Sequence, residues 1–278
     1  MFTFLRSSHS FKINARYTLH STSVSRSRAS PFQKFHATDL FSATHRDALR
    51  HAPRRHWRPV GPFQRFRRRF DNTPPDYIIF GILGINGAVF AAWSYVQMFQ
   101  GTSYRPPSAK WLARWLQDNF INSYENLRDG RFWTLVTSTF SHAQFGHALF
   151  NGLTFWFLAP TALSVLGNTQ FLALYLGSGA FASLVSLVWN KERNYHSHGA
   201  SGAIYALASF FAFAAPRARF LLFFVLPMPA WACIGGIACF DVYNAFTRQF
   251  PSLDSAGHVG GLAGGALYWI LRTRLRLR

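Results

Sequence analysis

Cysteine is nearly missing. Cys233 and Cys239 are the only two in 278 residues, and both fall in one apolar stretch. They offer no disulfide framework, and with no histidine close by in sequence they read as packing residues. Acidic residues are scarce too: ten Asp and Glu stand against 29 Lys and Arg, and all charged residues together make up 14% of the chain. So little charge beside 49% hydrophobic residues argues against an ordinary soluble domain. There is no H-E-x-x-H metal motif, no G-x-S-x-G elbow of the soluble hydrolases and no nucleotide-binding signature. Neither a metal nor a cofactor is therefore expected.

The basic excess is concentrated at one end. Residues 1–70 carry only Asp39 and Asp47 against a long series of arginines and a few lysines, and the first thirty have no acidic residue. A nucleic-acid-binding tail and an organellar presequence both carry such charge. The opening "MFTFLRSSHSFKINARYTLHSTSVSRSRAS" is Arg- and Ser-rich and lacks the apolar core of a secretory signal. An import presequence of mitochondrial type is therefore expected, followed by a disordered basic stretch and a boundary near residue 70. A nucleic-acid partner is not.

Beyond that point the chain reads as an all-α membrane protein. Six apolar segments lie at about 77–99, 145–165, 168–189, 199–215, 218–239 and 257–271. The first, at ~1.5 Å per residue, spans roughly 35 Å, enough for a bilayer. Residues 100–144 are too long for a plain connector. Within them "KWLARWLQDNF" gathers Trp111, Leu112, Trp115 and Leu116 on one helical face, as suits a helix at the membrane surface or one packed on protein. Arg65 and its neighbours, Arg217 with Arg219, and the closing "RTRLRLR" all fall on one side of a six-span arrangement.

Polar groups inside such segments are costly and call for a role. Ser201 stands at a helix start in "HSHGASGAIYALASF". A serine there is commonly an N-cap. Gly199 and Gly202 also permit close approach of a substrate, and first-turn N–H groups are suited to an oxyanion. His258, in "DSAGHVGGLAGG", heads a face on which Gly257, Gly261 and Gly265 recur every four residues, as do Gly260 and Gly264. Such faces bring two helices almost backbone to backbone. A neutral histidine carried there has the chemistry of a general base or of a cap. Asp254 is read as a helix cap or as the third member of a triad. In "SHAQFGHALFN", His147 and Asn151 share a helical face and His142 lies at its entrance. These side chains suit an oxyanion; a metal bound by His142, His147 and His258 is the alternative. Tyr205, one turn below Ser201, is placed to support an imidazole or to fill the core. Pro227 and Pro229 weaken the fifth span, either as a fixed kink or as a mobile wall. His196, Ser197 and His198 line a wet cavity or a surface loop.

Taken together these residues resemble the rhomboid family of intramembrane serine proteases, over most of residues 77–271. "GASG" is similar to its nucleophile motif, "GHVGGLAGG" to the motif of its base histidine, and "HAQFGHALFN" to its H-x-x-x-x-H-x-x-x-N. "GRFWTLVTSTFSH" resembles the end of its first loop, and "FVLPMPAW" with "DSAGH" its mitochondrial branch. Gly257 departs from the alanine common in the family. The resemblance implies a six-transmembrane-helix bundle with a membrane-associated loop between the first two helices. It also implies a Ser201–His258 dyad with oxyanion stabilisation by Asn151, His147 and Gly199, and Tyr205 behind the base. Its substrates would be single-pass membrane proteins, and its place the lipid bilayer of the mitochondrial inner membrane. A helix-binding scaffold and a small channel are the competing classes. Intact Ser201 and His258 count against the first, and the lack of repeated halves against the second.

Overall fold

The computed structural model describes residues 61–191, 195–222 and 225–275. Residues 1–60, with the expected presequence, lie outside them. The last part of the basic stretch is helical: α1 runs Pro62–Asp71 and is followed by α2, Pro75–Gln97, with proline in the first turn where a missing N–H costs nothing. The long insertion holds α3 (Pro107–Phe120), the short strand β1 (Asn122–Ser123) and two brief helices, α4 (Tyr124–Arg128) and α5 (Thr134–Thr137). Then come α6 (Phe145–Leu166), α7 (Asn168–Trp189), β2 (His196–Ser197) and α8 (Ser201–Ala214). Strands β3 (Arg219–Leu222) and β4 (Leu226–Pro229) precede α9 (Ala230–Thr247) and α10 (Ser255–Arg274).

The fold is mainly helical. Among the described residues α2, α6 and α7 are long and apolar enough to cross a membrane, and α8 is a shorter apolar helix of 14 residues. α9 and α10 reach 18 and 20 residues, but polar side chains and glycines dilute them. One expected segment is corrected. Residues 218–239 do not form a single span: the antiparallel pair β3–β4 takes the first part, and the helix begins only at Ala230. The prolines explain it. Pro227 and Pro229 have no N–H for a helical ladder and fix φ, so they sit on β4 and at the N-cap of α9. They do not weaken a helix; they come before one.

The core is built from α6, α7 and α8, with Phe155, Leu158, Phe171, Tyr175, Leu207 and Phe210 fully buried. A second cluster joins Val89, Trp93 and Val96 of α2 to Ala113 and Leu116 of α3. The buried face of α3 is thus Ala109, Ala113 and Leu116, while Trp111 and Trp115 stack on each other on its exposed side, ring centres 6.3 Å apart. The Trp–Leu face foreseen from spacing is divided between protein and surroundings.

α10 fits into the groove between α7 and α8, and its glycines are why. A Cβ at Gly261 would overlap the Gly202 carbonyl, and one at Gly265 the Ala206 carbonyl, both on α8. On the other side, a Cβ at Gly260 would stand 2.8 Å from Val185 Cβ and one at Gly264 2.9 Å from Ser178 Oγ, both on α7. The four-residue glycine repeat does what its spacing predicts.

Candidate active site

Backbone-to-backbone packing of α8 on α10 brings their first turns together. Ser201 is the first residue of α8, whose N-cap position is taken by Ala200. The Ser201 Oγ lies 3.0 Å from His258 Nε2. His258, 9% exposed, is held by its own N–H to the Asp254 carbonyl and by the Tyr205 ring, which stacks on the imidazole at 4.2 Å and 21°. Ser201, His258 and Tyr205 are therefore brought together.

The other ring nitrogen reveals a residue that spacing did not. His258 Nδ1 is 3.0 Å from Asp241 Oδ1, and Asp241, on α9, is 1% exposed. A carboxylate only accepts, so Nδ1 carries the hydrogen and Nε2 presents its lone pair to the Ser201 hydroxyl. That is the tautomer a general base requires. A signal existed in "GIACFDVYNAF", where a single aspartate stands amid apolar residues. Ending the fifth segment at residue 239 left it outside. Asp254 is a cap and not a triad member: its Oδ1 accepts from Gly257 N–H at 3.0 Å and from Ser186 Oγ at 2.8 Å.

The loop before Ser201 is fastened on several sides. β1 pairs with β2, placing Asn122 opposite Ser197, and the Asn122 side chain donates to Ser197 Oγ and the Ser183 carbonyl, each at 2.9 Å. Gly199 donates its N–H to the Ser138 carbonyl at 2.9 Å, and Ala200 N–H donates to His142 Nε2 at 3.1 Å. His142 is thereby a buried acceptor, its pKa pushed down to about 3 by burial and then by the nearby His147 and His198 imidazoles. His198 is pushed down to about 4, again by burial first. Gly199 has φ +130°, and a Cβ there would stand 2.6 Å from His147 Cε1, so only glycine lets that ring approach.

The oxyanion candidates divide. The His147 ring lies against Gly199, beside the first turn of α8. Asn151 instead donates to the His147 carbonyl of its own helix at 3.0 Å, and the Gly199 N–H is already engaged. In this arrangement Gly199 makes room for the His147 ring, and its N–H is spent on Ser138 and not on an oxyanion. A recess of about 30 Å³ adjoins Ser201 and His258, walled by Ser138, Thr139, Ser183, Ser197 and His198. It has polar walls and room for roughly one water. His196, by contrast, is exposed and faces Glu125 across 4.0 Å. Among the described residues no three His, Cys, Asp or Glu side chains converge as metal ligands would.

A model of the rhomboid domain matches residues 129–275, which include Ser201, His258, Asp241, Tyr205, His142, His147 and Asn151. The chain belongs to the rhomboid family. It is similar to "Rhomboid protein 1, mitochondrial" of Saccharomyces cerevisiae, 31% identical over 217 residues, covering 75% of this chain and 56% of that relative. "RHOMBOID-like protein 12, mitochondrial" of Arabidopsis thaliana is 25% identical over 217 residues, 72% of this chain and 60% of the relative. "Rhomboid protease GluP" of Bacillus subtilis is 28% identical over 139 residues, 50% of this chain and 26% of its own length. The chain thus spans under two thirds of these relatives. Within the rhomboid domain, the serine–imidazole contact lies where α8 and α10 begin, and Asp241 enters from α9.

Proposed function

We propose that this rhomboid is an intramembrane serine endopeptidase that cuts single-span membrane proteins in or near their transmembrane segment. The observation that carries the reading is the 3.0 Å contact of Ser201 Oγ with His258 Nε2. Nε2 takes the hydroxyl proton as Oγ attacks the peptide carbonyl carbon. The imidazolium so formed is stabilised by Asp241 and stacked on Tyr205. Negative charge on the carbonyl oxygen is met by the Ser201 backbone N–H and the His147 ring, with Asn151 joining once its side chain turns from the helix. As the tetrahedral centre collapses, the C–N bond breaks and His258 returns its proton to the leaving amine. A water drawn through the polar recess then attacks the acyl-enzyme, with His258 again taking the proton; as this second tetrahedral centre collapses, the Oγ–C bond breaks and His258 returns the proton to Ser201.

A substrate helix hides its peptide bonds in its own hydrogen bonds, so cleavage favours segments that unwind readily. In this reading α2 and α6 to α10 are six spans, the insertion between α2 and α6 lies against the membrane, and the protein resides in the mitochondrial inner membrane behind a cleaved presequence. Its similarity to mitochondrial rhomboids and the Arg/Ser-rich opening support a mitochondrial address.

The test is direct. Purified protein is expected to label with a fluorophosphonate and to cleave a single-span substrate. Ser201→Ala abolishes both, and His258→Ala lowers both by several orders of magnitude. Continued cleavage by Ser201→Ala would give the nucleophile to another residue. A folded wild type that binds single-span helices, neither labelling nor cutting, would make it a helix-binding scaffold.

A further inference from the structure

The end of the bundle away from Ser201 has a surface of another kind. Helix α1 places Phe63, Phe66 and Phe70 at i, i+3 and i+7, one face of a helix, with Arg68 on the far side and Arg69 on the flank next to Phe66. Phe63 and Phe66 are 73% and 66% exposed. The helix is nevertheless pinned. Asp71 accepts the Thr169 backbone N–H at 2.8 Å, and Asn168 Nδ2 donates to the Phe70 and Thr73 carbonyls, each at 2.8 Å. These bonds fix α1 to the turn between α6 and α7, while its own chain continues into α2 at Pro75. Phe63 and Phe66 are thus held, exposed, at the level where α6 ends and α7 and α2 begin.

Charge says what meets that level. Asp71 is engaged by Arg67 at 3.4 Å as well as by Thr169, and among the described residues no carboxylate pairs with Arg68 or Arg69. The end of α10 adds Arg274 and Arg272, whose guanidinium donates to the Val165 carbonyl at 3.1 Å. At the Ser201 end basic and acidic groups are instead interleaved, as Arg131 is with Asp118 and Asp129. An apolar face backed by unneutralised arginines at the mouth of a span is the pattern of an interfacial helix.

We propose that α1 lies in the membrane interface and binds the anionic phospholipid headgroups of that leaflet. Phe63 and Phe66 enter the acyl boundary, and Arg68 and Arg69 engage phosphates. This rests on the reading of α2, α6 and α7 as spans, and not on the chemistry of Ser201.

The full chain, reconstituted in phosphatidylcholine vesicles, tests it with spin-labelled phosphatidylglycerol or spin-labelled phosphatidylcholine as probe. The motionally restricted fraction is expected to favour phosphatidylglycerol by about fivefold for each arginine engaged, and to lose that preference in high salt. Arg68→Gln/Arg69→Gln brings the preference close to that of neutral lipid at an unchanged unfolding midpoint. Phe63→Ser/Phe66→Ser weakens it. An undiminished preference in the arginine variant, or one removed only by Arg272→Gln/Arg274→Gln, would overturn the proposal. Absence of restricted lipid of either kind would overturn the span reading beneath it, whatever Ser201 does.

Discussion

The His258 ring has two hydrogen-bonding neighbours, and they are brought to it by opposite means. On the Ser201 side α8 and α10 touch through backbone, glycine against carbonyl, so no side chain can be trimmed or rotated to change the spacing. On the Asp241 side stands α9, whose buried residues are Ala230, Cys233, Ile234, Asp241 and Asn244. Much of its remaining surface, including Trp231 at 62% and Phe246 at 70% exposure, faces outward. Nucleophile and base are set by a rigid contact, and base and carboxylate by a helix held at its ends and by a few polar bonds. Damage on the first side should therefore cost the fold, and damage on the second only the chemistry.

The largest expected effect is at Gly261. Gly261→Leu forces α10 off the Gly202 carbonyl, an overpacking worth roughly 1–3 kcal/mol or more. It separates Ser201 from His258 as it does so, so activity disappears and the unfolding midpoint falls. Gly236→Ala on α9, where a Cβ meets nothing within 4 Å, keeps both. Equal tolerance at the two positions would erase the contrast.

Next comes Asp241→Asn. An amide can donate to Nδ1, which moves the imidazole hydrogen to Nε2 and removes the base; kcat should fall about 10²–10⁴-fold with KM little changed. Unfolding midpoints of variant and wild type should coincide, because the shape is kept. A drop in stability with activity intact would make Asp241 structural. Tyr205→Ala, which removes the stacked ring, should cost about tenfold, in line with ~0.5–1.5 kcal/mol for such contacts.

What could be read ahead of the coordinates follows the same division. The close packing of a helix on the His258 face was legible because its glycines announce it at fixed spacing; the pairing of Ser201 with His258 was implied by the resemblance of their motifs and not by periodicity. Asp241 was not legible, because its role depends on where α9 starts. Hydropathy alone ran the fifth segment through Pro227 and Pro229, although proline chemistry ends it there. Asn151 shared a helical face with His147 as expected, but whether its amide points to the site or to its own backbone is a rotamer choice that spacing does not encode.

Acid offers a milder test of the rigid side. His142 and His198, near Ser201, are held down to about 3 and about 4 by burial and by neighbouring imidazoles, from 6.5. Unfolding returns them to the ordinary value, so below about 6.5 the unfolded chain binds protons that the folded one refuses. The neutral-form advantage is complete above that pH and is lost as pH falls toward 4 and 3. The midpoint of thermal unfolding should decline across this window. His198→Phe, which keeps an aromatic ring beside Trp93 but cannot be protonated, should flatten the decline. An unaltered slope would remove His198 from the account.

The smallest effect separates two aspartates that flank His258 in different ways. Asp254 accepts from the α10 backbone at Gly257 and from Ser186 of α7, while its backbone carbonyl, unlike its side chain, receives the His258 N–H. Asp254→Ala therefore removes a helix cap and one tie between α10 and α7, worth about 1 kcal/mol. It leaves the imidazole with Asp241, Tyr205 and Ser201, so kcat should change by less than the Tyr205→Ala variant does. Thermal unfolding and turnover measured side by side should give crossed results: Asp254→Ala less stable and active, Asp241→Asn stable and nearly inactive. If both lose activity alike, α10 is not held by its glycines as firmly as the Gly261 contact implies, and the rigid side of His258 is no more rigid than the other.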